Sequence, residues 1–154
     1  SEQNIGSTFY FTLPYTPSQI KEKQKFSRMF SFTSKSKKTV LVAEDNDVNY
    51  AYLYQVLTRA KCTVIRANNG SEAVHICEKN PDIAMVLMDV RMPILDGLEA
   101  AKLILQQNPN LPILIQTAFS LTIHSEQVKQ IGCVGIISKP IKRNELLRYI
   151  SEYI

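Results

Sequence analysis

The chain has 154 residues, 45% of them hydrophobic and 21% charged, enough for one domain with a real core and a surplus segment but not for two full domains. No apolar run approaches the roughly 18 residues of a membrane span, and the first residues lack the basic, apolar and small-residue order of a secretory signal, so a cytoplasmic segment is expected. The formal charge of +4 is unevenly spread: residues 21–38 hold seven basic side chains against Glu22 alone, and the remainder is acidic on balance.

From the amino terminus, Ser7-Thr8-Phe9-Tyr10-Phe11-Thr12-Leu13-Pro14 reads as one β-strand stopped by proline. A lone strand is not stable, so it reads as the end of a preceding domain. The basic stretch after it has the charge to touch nucleic acid or an anionic membrane, but a solvated linker is the reading adopted, with no nucleic acid expected.

From Thr39 onward, runs rich in Val, Ile and Leu at 39–43, 62–67, 83–88, 112–117 and 133–138 alternate with segments of helical spacing. This pattern predicts an α/β domain over 39–154: a five-stranded parallel sheet, covered by helices on both faces. In the first helix Leu53, Val56, Leu57 and Ala60 share one face, with Asp45, Asn46 or Asp47 as the cap. Tyr50 and Tyr54 point elsewhere. Asn69-Gly70 and Asn108-Pro109 mark turns, and Pro140 precedes a final helix over 144–153. Cys62, Cys77 and Cys133 lack metal-ligand spacing and lie in apolar stretches, which predicts buried, reduced thiols.

Polar residues stand where these strand runs end. Glu44-Asp45 follow the first run, Asp89 the third, Thr117 closes the fourth, and Lys139 follows the fifth. In an open α/β sheet the crevice beyond the carboxyl ends of the strands binds ligands, so these side chains are expected to converge on one pocket. Close carboxylate pairs repel by about 4 kcal/mol at an effective dielectric near 20, and the cluster calls for a cation. Mg²⁺ suits one or two carboxylates, water and phosphate oxygens. Asp89 is then a candidate nucleophile, since a carboxylate can accept a phosphoryl group as an acyl phosphate. Lys139 and the Thr117 hydroxyl are candidates for its oxygens. Taken singly, each has a plainer reading, as a helix cap for Asp45, a turn cap for Asp89 and ordinary surface for Lys139 and Thr117.

Val40-Leu41-Val42-Ala43-Glu44-Asp45-Asn46, Met88-Asp89-Val90-Arg91-Met92-Pro93 with Asp96-Gly97, Gln116-Thr117-Ala118 and Ser138-Lys139-Pro140 resemble, in order and spacing, the receiver domain of two-component response regulators across 39–154. The resemblance implies a flavodoxin-like, doubly wound fold with Asp89 as phosphoacceptor. It implies Mg²⁺ on Asp45, Asp89 and the backbone carbonyl of Arg91, helped by Glu44. Thr117, the Ala118 amide and Lys139 would hold the phosphoryl oxygens, and Lys139-Pro140 would be cis. The segment Gly6 to Pro14 resembles the close of a histidine-kinase ATP-binding domain. That implies a kinase remnant at 1–16, a linker at 17–38 and the receiver of a bacterial hybrid sensor kinase. Such a receiver would not itself be an enzyme, although its parent chain would be a histidine kinase. Its partners would be a phosphohistidine domain, expected in the same parent chain, and a histidine phosphotransfer domain; any membrane contact would come through the parent, and the oligomeric state is open. His75 and His124 have no kinase-like context and are expected on helix surfaces.

The pattern departs at Ile136, three before Lys139, where switching by an aromatic side chain would need a ring. Two other classes compete with the phosphoacceptor reading. An inert receiver-like interaction module is opposed by the intact set Glu44, Asp45, Asp89, Thr117 and Lys139. A metal-dependent phosphohydrolase would carry a second carboxylate two after its nucleophile, where this chain has Arg91. Tyr50 and Tyr54 are candidates for a partner surface on the first helix.

Overall fold

In the computed structural model the described residues are Tyr10, 37–118 and 125–154. Apart from Tyr10, the strand expected at 7–13 lies outside them, as do most of the linker and His124. The chain divides into two units, Ser1–Ser31 and Phe32–Ile154, and the architecture below belongs to the second.

The elements alternate throughout: β1 (Thr39–Ala43), α1 (Asp47–Arg59), β2 (Thr63–Ala67), α2 (Gly70–Lys79), β3 (Ile83–Asp89), α3 (Gly97–Gln107), β4 (Ile113–Thr117), α4 (Ser125–Ile131), β5 (Gly135–Ser138) and α5 (Arg143–Tyr153). The strands form one parallel sheet in the order β2-β1-β3-β4-β5. After β2 the chain crosses back over β1, so the order reverses between β1 and β3. This is the expected doubly wound arrangement, and it opens a crevice at the carboxyl ends of those two strands.

Burial explains why the central strands read as continuous apolar runs. Val40, Leu41, Val42 and Ala43 of β1 and Met85 to Met88 of β3 have no exposed surface, as expected of strands covered on both faces. Leu41, Ala43, Val86, Met88, Ile113 and Ile115 pack with Ala73 of α2, Ala100, Ala101 and Ile104 of α3 and Val128 of α4. Alternation along a strand turns their neighbours Val40, Val42, Met85, Leu87 and Leu114 to the opposite face. There the buried residues of α1 (Leu53, Val56, Leu57) and α5 (Leu146, Leu147, Ile150) supply the cover.

Three sequence expectations shift at element ends. Asn46 alone caps α1, accepting from the Val48 and Asn49 amides at 3.0 and 3.1 Å, which leaves Asp45 free of that duty. Asn69-Gly70 is a helix start rather than a free turn: Asn69 caps α2 through the Glu72 amide at 2.8 Å, while Glu72 reaches back to the Asn68 amide at 2.7 Å. Ala60 is only half-buried, because it is the carboxyl-terminal cap of α1. Beyond it Lys61 takes φ +64, and the Cys62 amide bonds the Leu57 carbonyl at 3.1 Å, closing the helix before β2 begins. Cys62 and Cys133 are buried and Cys77 is half-buried, all three free thiols. Burial pushes Cys77 up to about 12 and Cys133 to about 11, so neither is a thiolate at neutral pH.

Candidate functional site

Strand register brings the polar residues to one edge. Ala43 pairs with Met88, Asp89 with Gln116 and Thr117 with Ser138, so Glu44, Asp89, Thr117 and Lys139 sit at neighbouring strand ends. Glu44 is fully buried, Asp89 and Thr117 nearly so, and Asp45 is exposed at the mouth. One carboxylate oxygen from each of Glu44, Asp45 and Asp89 lies within 4.8 Å of the other two. Hard oxygen donors this close, two of them shielded from water, suit Mg²⁺ or a similar ion.

Lys139 answers part of that charge. Its Nζ donates to Glu44 Oε2 at 2.7 Å and to Asp89 Oδ2 at 2.6 Å. Burial pulls its pKa down, but the bonds to Asp89 and Glu44 outweigh that and hold the ammonium above the usual lysine value. The Lys139-Pro140 bond is cis, and the Lys139 amide donates to the Thr117 carbonyl at 2.8 Å, tying the ends of β4 and β5 together. On the other side of Asp89 the Arg91 amide approaches Oδ1 at 3.4 Å, near the limit of a hydrogen bond.

Gly97 explains the Asp96-Gly97 pair. Asp96 caps α3 through the Leu98 and Glu99 amides at 2.9 and 3.1 Å. Gly97 donates to the Val90 carbonyl at 2.9 Å, and a side chain there would collide with the Asp89 carbonyl oxygen. The start of α3 is therefore seated against the backbone that carries Asp89.

Two residues escaped the sequence reading. Asn49 donates through Nδ2 to Glu44 Oε1 at 2.9 Å, so both oxygens of the buried Glu44 are held; five positions separate the two, and only the turn into α1 brings them together. Arg66 donates to the carbonyls of Glu44 and Asp45 at 3.3 and 3.2 Å. Its signal was available, as the one charged residue inside an apolar strand run.

The profile described as "Response regulator receiver domain" matches residues 40–151. The chain belongs to the response regulator receiver family. This receiver is similar to the polar-differentiation response regulator DivK of Brucella anthropi, 32% identical over 120 residues that span 76% of this chain and 96% of DivK. Among solved structures it resembles the receiver of the sensor histidine kinase PA1611 from Pseudomonas aeruginosa, with a magnesium ion coordinated in its active-site cleft: TM-score 0.70, 31% identity, 77% of this chain and 98% of that one. It also resembles the co-crystal structure of the Saccharomyces cerevisiae histidine phosphotransfer protein Ypd1 with the receiver of Ssk1, at TM-score 0.69 and 30% identity over 76% of this chain and 88% of that one.

Around this receiver's crevice the tyrosines of α1 take two directions. Tyr50 is half-covered by the Arg66 guanidinium, 4.5 Å from its ring centroid, with Tyr54 6.0 Å away on the next turn. Tyr52 instead reaches over the site's flank, and its hydroxyl donates to the Ile141 carbonyl at 2.9 Å. Val48, Tyr52, Leu53, Pro140 and Ile141 line a cavity of about 280 Å³ that also touches Asn49 and Lys139. Ile136 is half-buried against the core, and His75 is exposed on α2, as expected. Among the described residues no helix is long and apolar enough to cross a membrane.

Proposed function

We propose that this receiver accepts a phosphoryl group from a phosphohistidine onto Asp89 and hands it on within a phosphorelay. The observation that carries the reading is Lys139 Nζ, set 2.7 Å from Glu44 and 2.6 Å from Asp89 inside a carboxylate cluster completed by Asp45. In the transfer an Asp89 oxygen attacks phosphorus; the P–O bond forms as the P–N bond to imidazole breaks, and the electron pair leaves with the histidine nitrogen. Glu44, Asp45, Asp89 and the Arg91 carbonyl would hold Mg²⁺, which when bound neutralises charge on the transferring group. Lys139 already lies on Asp89 and needs only a short swing to pair with a phosphoryl oxygen. Thr117 and the Ala118 amide, at the end of β4, take the others.

The upstream and downstream partners are phosphohistidine proteins, and the origin is a hybrid kinase in the cytoplasm. Support comes from the likeness to a sensor-kinase receiver and to a receiver co-crystallised with a phosphotransfer protein, together with the kinase-like segment from Gly6 to Pro14. The domain divisions at 1–16, 17–38 and 39–154 belong to this reading. The receiver assists its own phosphorylation and is not an enzyme by itself; the parent chain is a histidine kinase.

The docking face follows from the groove beside Lys139, where Val48 is 78% and Tyr52 40% exposed. Apolar and aromatic side chains bordering the reacting lysine are suited to guide an incoming histidine helix. Alanine at Val48 and Tyr52 is expected to slow transfer from a phosphotransfer protein about tenfold while leaving labelling by acetyl phosphate unchanged; equal slowing of both would refute the docking role. The acceptor is identified by incubation with acetyl phosphate and Mg²⁺, borohydride reduction and peptide mass mapping. Reductive conversion confined to Asp89 supports the reading; conversion at another carboxylate refutes Asp89 as the acceptor, and conversion at no residue of the folded protein favours an inert interaction module.

A further inference from the structure

Arg66 lies on the edge strand β2, in the run Thr63-Val64-Ile65-Arg66-Ala67, with its side chain 24% exposed. Its planar fork is turned to one short piece of backbone. Nε donates to the Glu44 carbonyl at 3.3 Å and Nη2 to the Asp45 carbonyl at 3.2 Å, while Nη1 pairs with Asp47 Oδ1 at 2.7 Å. The ring of Tyr50 packs on the guanidinium face at 4.5 Å. Next door, the Ala67 carbonyl accepts the Glu44 amide at 3.0 Å. The link between β1 and α1, which carries two of the three cluster carboxylates, is thus gripped by consecutive residues of β2.

We propose that Arg66 is a positioning residue for the divalent-cation site, clamping the Glu44–Asp45 backbone so that both carboxylates are set before the ion arrives. The inference rests on the reading of Glu44, Asp45 and Asp89 as that site. Glu44 has further support in Asn49 and Lys139, whereas Asp45 is exposed and depends on the backbone beneath it. Two consecutive carbonyls need a fork with fixed spacing, which arginine has and lysine lacks. Groups that orient ligands from behind commonly contribute tenfold or more to metal affinity. An opposing effect exists, because a guanidinium near a cation site repels the ion. Asp47, in contact with the guanidinium, offsets that charge, so positioning is expected to win.

The test is Mg²⁺ titration of the full chain, wild type, Arg66→Lys and Arg66→Met, followed through the amide resonances of Glu44, Asp45 and Asp89, with melting in metal-free buffer alongside. Both variants are expected to bind Mg²⁺ about tenfold more weakly, with Arg66→Lys, which keeps the charge but loses the fork, melting close to wild type. Should Arg66→Met fail to fold, Arg66→Lys decides alone. Affinity within about twofold of wild type would reduce Arg66 to a structural strut, and tighter binding would show that repulsion dominates; either overturns the proposal. Wild type without saturable shifts would instead overturn the cation site itself, and the positioning role with it.

Discussion

Lys139, partly buried, and Gln116, fully buried, are both polar and opposite in their satisfaction. The Lys139 ammonium bridges Glu44 and Asp89; Gln116 is fully buried, and neither amide atom has a partner among the described residues. Removing one side of a shielded ion pair leaves the other uncompensated, so Lys139→Ala is expected to cost about 3 kcal/mol in metal-free buffer, much of it regained with Mg²⁺, by urea unfolding. The pH dependence follows from the raised Lys139 value. A raised folded pKa contributes stability in full below the free-lysine value of 10.5 and loses it as pH rises through the folded value. Wild type should therefore lose stability relative to Lys139→Ala above about pH 10.5, and parallel stability curves through that range would contradict the pairing. For Gln116 the sign reverses: an unpartnered buried amide costs roughly 1–3 kcal/mol, so Gln116→Met is expected to stabilise by about 1 kcal/mol in the same assay. The sequence placed Gln116 inside a buried strand run, but its lack of partners depends on what the opposite face of the sheet presents.

At the scale of elements, the first helix shows what sequence could and could not decide. Its apolar face was legible because Leu53, Val56 and Leu57 recur at helical spacing. The cap was left open among Asp45, Asn46 and Asp47, since all three have suitable side chains. The structure assigns it to Asn46, freeing Asp45 for the cluster and Asp47 for Arg66. Asn46→Ala is expected to cost about 1 kcal/mol, measured by denaturant unfolding, and to leave the Lys139 contacts in place. No loss beyond about 0.3 kcal/mol would mean the cap is not holding the helix start. The tyrosines of the first helix were legible in part. Spacing four apart put Tyr50 and Tyr54 on one stripe, which is correct, but only the fold shows Arg66 lying over Tyr50 and Tyr52 turned to Ile141.

For the whole molecule, the parallel sheet was legible because strands buried on both faces are written as unbroken apolar runs, most plainly Val40 to Ala43 and Met85 to Met88. Strand ends were legible too, since a charged residue cannot continue such a run without a partner. What pattern alone could not supply was the lateral order, which brings residues 44 and 139 into contact across β3 and β4. Asn49 and Arg66 belong to that same class, because their partners are defined by where the chain turns. Charge follows the same geometry: three carboxylates and one ammonium meet at the crevice where the sheet order reverses.

The central claim, that Asp89 takes a phosphoryl group with help from a divalent cation, is tested most directly by intact-mass spectrometry. Wild type and Asp89→Asn would be incubated with acetyl phosphate, each with Mg²⁺ and with chelator. A gain of one phosphoryl group in wild type with Mg²⁺ only, and none in Asp89→Asn, is the predicted result. A gain that survives Asp89→Asn, or that is indifferent to chelator, would contradict it.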